Sequence, residues 1–308
     1  MENTETPVLR VRDLKVAFNM YQRGLKQAEL VTIQSLNLEV QKGEIMAVVG
    51  SSGSGKSLLA HAIMGILPAN ASVGGSILYH GEELTPRLQK KLRGAELAFI
   101  PQSVDYLDPL MRVGKQVVGT KSTVEAQKSA FRRYGLEERV ARMYPHQLSG
   151  GMARRVLIAT AVTIAPKLIV ADEPTPGLTV ALATETLNHF KELAENGAAI
   201  LLITHDIDLA LKVADRIAVF YAGTTVEIAD AKDFKAGKEA LRHPYSKAFI
   251  DALPQNAFRP IPGSQPYAGK LPAGCLFADR CPMRTAACGE TMTMRRVRGG
   301  EVLCVHAT

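Results

Sequence analysis

The octapeptide Gly50-Ser51-Ser52-Gly53-Ser54-Gly55-Lys56-Ser57 constrains this chain more than any other segment. It fits the phosphate-loop pattern, a glycine, four free positions and then Gly-Lys-Ser, and it sits in the context that pattern needs. Ile45–Val49 before it reads as a buried strand, and Leu58–Met64 after it reads as a helix. A strand-loop-helix turn of this kind presents backbone N–H groups and a helix N-terminus to the phosphates of a nucleotide. A flexible Gly/Ser linker would share the composition but not the flanking elements. Gly50, Ser51, Gly53, Ser54 and Gly55 are therefore expected to cradle phosphate. Lys56 would reach the β- and γ-phosphates, and the Ser57 hydroxyl would coordinate magnesium. Alone, the motif means ATP or GTP.

A second segment, Leu148-Ser149-Gly150-Gly151-Met152 followed by Ala153-Arg154-Arg155, narrows the class. Paired glycines after a serine can open a helix and expose N–H groups where a phosphate could dock. The segment resembles the signature of ATP-binding-cassette (ABC) ATPases, and the remaining parts of that cassette follow in order. Gln102, at the end of Leu97–Pro101, resembles the Q-loop glutamine that touches magnesium and senses the membrane partner. Leu168–Ala171 is an apolar run ending in Asp172-Glu173, as expected of a parallel strand buried on both faces. By resemblance Asp172 holds magnesium and Glu173 polarises the attacking water. Ala199–Thr204 is a second such strand, and His205 after it resembles the switch histidine that contacts the γ-phosphate. The resemblance implies an α/β fold, a P-loop NTPase cassette with a RecA-like parallel sheet and a helical subdomain.

Two positions depart from the family pattern. Pro176-Gly177-Leu178-Thr179 stands where the D-loop usually ends in aspartate, so Thr179 puts the equality of two composite ATP sites in doubt. The aromatic that usually stacks on adenine is Tyr21 or Phe18, with Asn19 to Val31 reading as an enlarged hairpin loop.

At 308 residues and 46% hydrophobic, the chain can bury a full core, and no apolar stretch approaches the length of a membrane span. It shows no leader-like segment. The net charge of +7 is spread along the chain without interleaved aromatics, so a solvated surface, and no nucleic-acid partner, is the reading. Residues 8–102 read as strands around the phosphate loop, with a Gly74-Gly75 turn. Residues 103–148 read as mainly helical, broken at Asp108-Pro109 and Gly114, and 149–230 as alternating helix and strand. The expected domains are 1–235, an ATPase with its helical subdomain at about 103–148, and 236–308, an extension.

All four cysteines fall in that extension, at Cys275, Cys281, Cys288 and Cys304, separated by five, six and fifteen residues. The clustering points to a shared ligand set, and the spacing leaves zinc and an iron–sulfur cluster open. Persistent disulfides are not expected of a cytosolic chain. His243-Pro244-Tyr245-Ser246 through Pro254, Pro262-Gly263, and Gly274-Cys275 through Cys281-Pro282 resemble the C-terminal extension of oligopeptide, dipeptide and nickel importer ATPases. That resemblance implies a [4Fe-4S] cluster on the four cysteines, with zinc as the alternative and His306 as a substitute ligand.

The whole then reads as the ATPase subunit of an ABC importer at the cytoplasmic face of the cell membrane. It would pair with a second homologous ATPase, whose site Ser149-Gly150-Gly151 completes, and with two transmembrane permease subunits served by an extracellular substrate-binding protein. Cargo would be oligopeptides, dipeptides, nickel or metal chelates. The alternative is a soluble ABC ATPase acting on the ribosome, nucleic acid or iron–sulfur assembly; the tandem cassettes, long charged insertion or ferredoxin-like module it would need are not seen. An inert regulatory cassette is disfavoured by the intact Lys56, Asp172 and Glu173.

Overall fold

A computed structural model of the chain describes residues 6–21 and 26–308. The first half runs β1 (Leu9–Tyr21), β2 (Gln27–Val40), β3 (Ile45–Gly50), α1 (Lys56–Met64), β4 (Ala71–Tyr79), β5 (Glu82–Glu83), α2 (Pro86–Leu92) and β6 (Leu97–Ile100). Then come α3 (Val113–Val118), α4 (Val124–Arg133), α5 (Gly150–Val162), β7 (Leu168–Asp172), α6 (Val180–Glu195), β8 (Ala199–Ile203), α7 (Ile207–Val213), β9 (Arg216–Tyr221) and β10 (Thr224–Asp230). The tail adds α8 (Ala231–Ala236), α9 (Pro244–Asp251), β11 (Arg295–Val297) and β12 (Gly300–Val302).

Hydrophobic patterning sorts these strands into two kinds. In β1 and β2 buried Leu9, Val11, Val16, Ile33, Leu36 and Leu38 are interleaved with exposed or half-buried residues, the mark of a sheet with one wet face. These strands pair antiparallel with each other, and β1 also pairs with β4. By contrast every residue of β3, β7 and β8 is buried, because helices cover both faces. The full order is β5-β4-β1-β2-β10-β9-β3-β8-β7-β6, and β9, β3, β8, β7 and β6 pair parallel. Register matches Val48 to Ile203, Ile203 to Asp172 and Ile100 to Ala171, so the carboxyl ends of four adjacent strands emerge at one edge. Ligands of open parallel sheets bind at that edge.

Three local expectations are corrected. The stretch 19–31 is a strand pair, not a loop: Asn19 faces Glu29 and Tyr21 faces Gln27, while residues 22–25 lie outside the described residues. The polar sequence between the strands hid the β-branched run Val31-Thr32-Ile33 that continues the ladder. The Gly74-Gly75 pair is no turn either. It lies inside β4 at a register shift, where a Cβ on Gly75 would come within 2.3 Å of the Asp13 carbonyl oxygen. Gly114 does not break a helix but sits in α3, where a Cβ would lie 2.8 Å from that of Ala141.

The tail is stitched into the main sheet. β12 pairs with β10, matching Glu227 to Val302, and Tyr245, Ile250 and Phe277 join the core beneath the parallel strands. Arg242 and Glu227, both buried, meet at 3.4 Å, and Glu227 also accepts the backbone N–H groups of Arg242 and His243. Among the described residues no helix is long and apolar enough to cross a membrane.

Candidate functional site

Each strand end delivers one part of the site. β3 ends at Gly50, the loop 51–55 follows, and α1 starts at Lys56 behind Gly55, whose φ of 94° opens the helix without a side-chain cap. Its first N–H groups are thus left for a ligand. β6 leads to Gln102, β7 to Asp172 and Glu173, and β8 to His205. Gly53, Gly55, Lys56, Ser57, Gln102, Glu173 and His205 line one cavity of about 360 Å³. A larger cavity of about 780 Å³ lies between the antiparallel strands and the tail, but its wall mixes Asp13, Arg216, Arg295 and Glu301 and so gives no field of one sign for an anion.

Lys56 is folded back: its Nζ donates to the carbonyls of Gly50 and Ser51 at 2.9 and 3.0 Å. Burial lowers its pKa, and the nearby Glu173 and Asp172 carboxylates oppose that shift. Asp172 is 2% exposed, and burial raises its pKa against the hydrogen bond it receives from the Ser57 hydroxyl. Its Oδ1 is buried without a hydrogen-bond partner. A buried carboxylate oxygen left unpaired beside a hydroxyl is a hard, oxygen-only donor set that suits Mg²⁺.

Glu173 takes a left-handed φ of 49°, uncommon for a residue with a side chain and a form of strain found at functional sites. Its backbone N–H donates to Ile203 O at 2.9 Å, which holds the turn. The Glu173 Oε2 lies 2.8 Å from His205 Nδ1, within ion-pair range although not aligned as a hydrogen bond. The carboxylate is nearly buried and the imidazole mostly exposed.

Ser149, Gly150 and Gly151 stand apart from this cavity. Ser149 caps α5, its hydroxyl accepting from Met152 N at 3.3 Å, and Ser149 and Gly150 are exposed. Thr179 likewise caps α6, accepting from Leu182 N at 3.4 Å, so threonine keeps the capping role an aspartate would have. Phe18 packs half-buried on the inner sheet and Tyr21 is exposed at the end of β1; neither lines the cavity.

Three residues escaped sequence reasoning. Arg154, buried in α5, donates to the carbonyls of Pro101 and Gln102 and so ties the signature helix to the Q-loop segment. Its place two residues after Met152 was the available signal. Gln265 accepts from Ser51 Oγ at 2.6 Å, and the buried Tyr245 neighbours Ser51, whose hydrogen bonding opposes the rise that burial causes in the Tyr245 pKa. Nothing in the sequence links positions 214 residues apart.

The four cysteines are free. Cys275 N donates to Cys288 O at 2.8 Å, and burial, with the neighbouring Cys288, Cys304 and Cys281, pushes the Cys275 thiol up to about 11. The Cys281 sulfur accepts the Met283 N–H at 3.4 Å, and backbone hydrogen bonding by Phe277 and His306 opposes the rise that burial causes at Cys275 and Cys304. Such bonds favour thiolates, the form that binds metal. His306 itself bonds Thr285 Oγ1 at 2.9 Å. Among the described residues no three His, Cys, Asp or Glu side chains lie closely enough together to hold a metal.

Comparison with known proteins agrees with this geometry. Residues 33–176 match the ABC transporter family, and residues 226–288 match the C-terminal region of oligopeptide/dipeptide transporters. The chain is 34% identical to the oligopeptide transport ATP-binding protein of Escherichia coli K12, over 96% of this chain and 91% of that protein. With the dipeptide transport ATP-binding protein of the same organism it shares 37% identity, over 91% of this chain and 90% of that one. Among solved structures it resembles the ATP-binding cassette MJ0796, a dimer in a post-hydrolysis state bound to ADP and Pi. That match has a TM-score of 0.63 and 26% identity, and covers 72% of this chain and 98% of that one.

Proposed function

The chain belongs to the family of ABC transporter ATP-binding proteins, and from that premise we propose that it is the ATP-hydrolysing subunit of a peptide importer. The observation that carries the reading is the convergence of Lys56, Ser57, Gln102, Glu173 and His205 on one cavity at the ends of adjacent parallel strands. Lys56 would leave the Gly50 and Ser51 carbonyls for the β- and γ-phosphates, whose negative charge would favour the cationic form against burial. Ser57, Asp172 and Gln102 would hold Mg²⁺, which neutralises phosphate charge. Glu173 would accept a proton from the water that attacks the γ-phosphorus, while ADP departs with its β-phosphate oxygen. His205 would hold the γ-phosphate and keep the Glu173 carboxylate oriented.

The segment Ser149-Gly150-Gly151, with Ser149 and Gly150 exposed, would complete the site of a second, homologous ATPase, and that subunit's equivalent would complete this one. The pair would sit on the cytoplasmic face of the membrane beneath two permease subunits, with an extracellular binding protein supplying cargo. The names of the relatives favour oligopeptides or dipeptides, and nickel or metal chelates are the other cargo that the resemblance allows. In the tail, Cys275, Cys281, Cys288 and Cys304 would hold a [4Fe-4S] cluster, or zinc as the alternative; the clustering of all four cysteines in the extension and the Met283 N–H bond to the Cys281 sulfur support the reading, while burial of the thiols works against it.

Uptake into membrane vesicles carrying the assembled complex and its binding protein tests the reading. ATP-dependent accumulation of labelled di- or oligopeptide, abolished by Lys56→Ala, is expected. Uptake of a nickel chelate in place of peptide would move the cargo assignment. Uptake that ignores ATP would overturn the function.

A further inference from the structure

The C-terminal extension reaches back to the nucleotide site at one point. The Gln265 side chain accepts the Ser51 hydroxyl at 2.6 Å, and its Nε2 lies 3.5 Å from the Gly53 carbonyl. Ser51 also neighbours the buried Tyr245, whose pKa burial raises and hydrogen bonding by Ser51 opposes. Both contacts fall on the phosphate loop itself, at Ser51 and Gly53. Neither belongs to the strand-end set described above.

The segment that carries Gln265 is itself pinned. Arg280 donates from Nε to Pro262 O at 2.7 Å and from Nη2 to Ile261 O at 2.9 Å. Its Nη1 donates to the Tyr221 hydroxyl at 3.1 Å, and its guanidinium lies 5.8 Å from the ring centres of Tyr221 and Phe277. Tyr221 packs on Tyr245 at 4.5 Å, and Tyr245 packs on Phe277 at 5.4 Å. A continuous path of rings and hydrogen bonds thus joins Ser51 to Arg280, the neighbour of Cys281. Packed chains of this kind can couple two sites when the element between them is held rigidly.

We propose that Gln265 is a positioning residue of the ATP site: a strap from the extension, anchored by Arg280, that holds Ser51 and keeps the phosphate loop in its nucleotide-binding shape. The inference rests on the ATPase reading and adds to it a part supplied by the cysteine-bearing extension. Holding the loop before nucleotide arrives lowers the ordering cost of binding. The strap therefore acts on affinity more than on the chemical step.

The test measures a fluorescent ATP analogue binding to the full-length chain, together with KM and kcat of the assembled complex. Gln265→Ala should weaken nucleotide binding and raise KM about three- to tenfold, the span of one uncharged hydrogen bond, while kcat moves less than twofold. Gln265→Glu should weaken binding further. Its carboxylate can still accept the Ser51 hydroxyl, but it places negative charge beside the phosphates, and added salt should reduce that extra loss. A role confined to folding gives no reason for Glu to be worse than Ala, nor for salt to matter. Ser51→Ala combined with Gln265→Ala should be no worse than either change alone. Arg280→Gln should shift affinity in the same direction, and its effect should shrink when Gln265 is already Ala. Unchanged affinity in Gln265→Ala, or simple additivity with Ser51→Ala, overturns the strap while leaving the ATPase reading intact. Failure of the unsubstituted chain to bind the analogue at all would sink both.

Discussion

At the scale of single residues, the site buries charged groups whose hydrogen bonding within the chain is incomplete or provisional. Asp172 holds an unpaired buried oxygen, and Lys56 sits on backbone carbonyls with its pKa lowered by burial. Their shifts run in opposite directions and both favour the neutral form, so a phosphate–magnesium pair relieves each of them. A different buried titratable group governs stability in the tail. The His243 Nδ1 accepts Tyr245 N–H at 3.0 Å and caps α9, and burial drives the imidazole down to about 3. The unfolded chain therefore binds a proton that the folded chain refuses. This contribution to stability is fully present above the ordinary histidine pKa of 6.5 and is lost as pH falls from there toward 3. His243→Asn keeps a capping acceptor and removes the titration. Chemical denaturation at pH 7 and at pH 4.5 should show the variant less stable at the higher pH, with the gap narrowing at the lower. Parallel pH profiles for the two proteins would contradict this.

At the scale of elements, what the sequence displayed was whatever is encoded by contiguous residues. β3, β7 and β8 were legible because a strand buried on both faces leaves an unbroken apolar run, and α1 and α5 because glycines mark their starts. The β1–β2 pairing was misread because polar residues near its tip interrupted the pattern although the ladder continues. Contacts between distant elements left no local trace: Arg154 on the Q-loop carbonyls, Gln265 on Ser51, and the β12–β10 pairing that docks the tail. That docking has a consequence for the cysteines. The extension is held by β12 and by the buried Arg242–Glu227 pair, independently of the thiols, so it should stay folded whether or not a metal is bound. Anaerobically purified protein should contain four irons per chain, as a four-thiolate cube requires. Cys281→Ser should lower that content while the chain remains folded by circular dichroism. Colourless protein with one zinc per chain would replace the cluster with the alternative metal, and protein with neither would remove the metal assignment.

At the scale of the whole molecule, the parallel sheet brings four strand ends to one cavity, while Ser149 and Gly150 are exposed and, with Gly151, lie outside its lining. Resemblance to the family pattern proposed the members of both sets. Their separation is a property of the three-dimensional chain, and it is the geometric reason to expect a partner subunit. The chemistry assigned to the half-site depends on one carboxylate, Glu173, held in a left-handed turn 2.8 Å from His205. Replacing it with glutamine keeps size and hydrogen bonding but removes the base. The most direct measurement is therefore phosphate release from MgATP by the assembled complex carrying Glu173→Gln, with bound ATP counted in the same sample. The account predicts full occupancy by ATP and a turnover rate about 100-fold or more below that of the unsubstituted complex, in keeping with the scale of general-base catalysis. Full occupancy with an undiminished rate would contradict it.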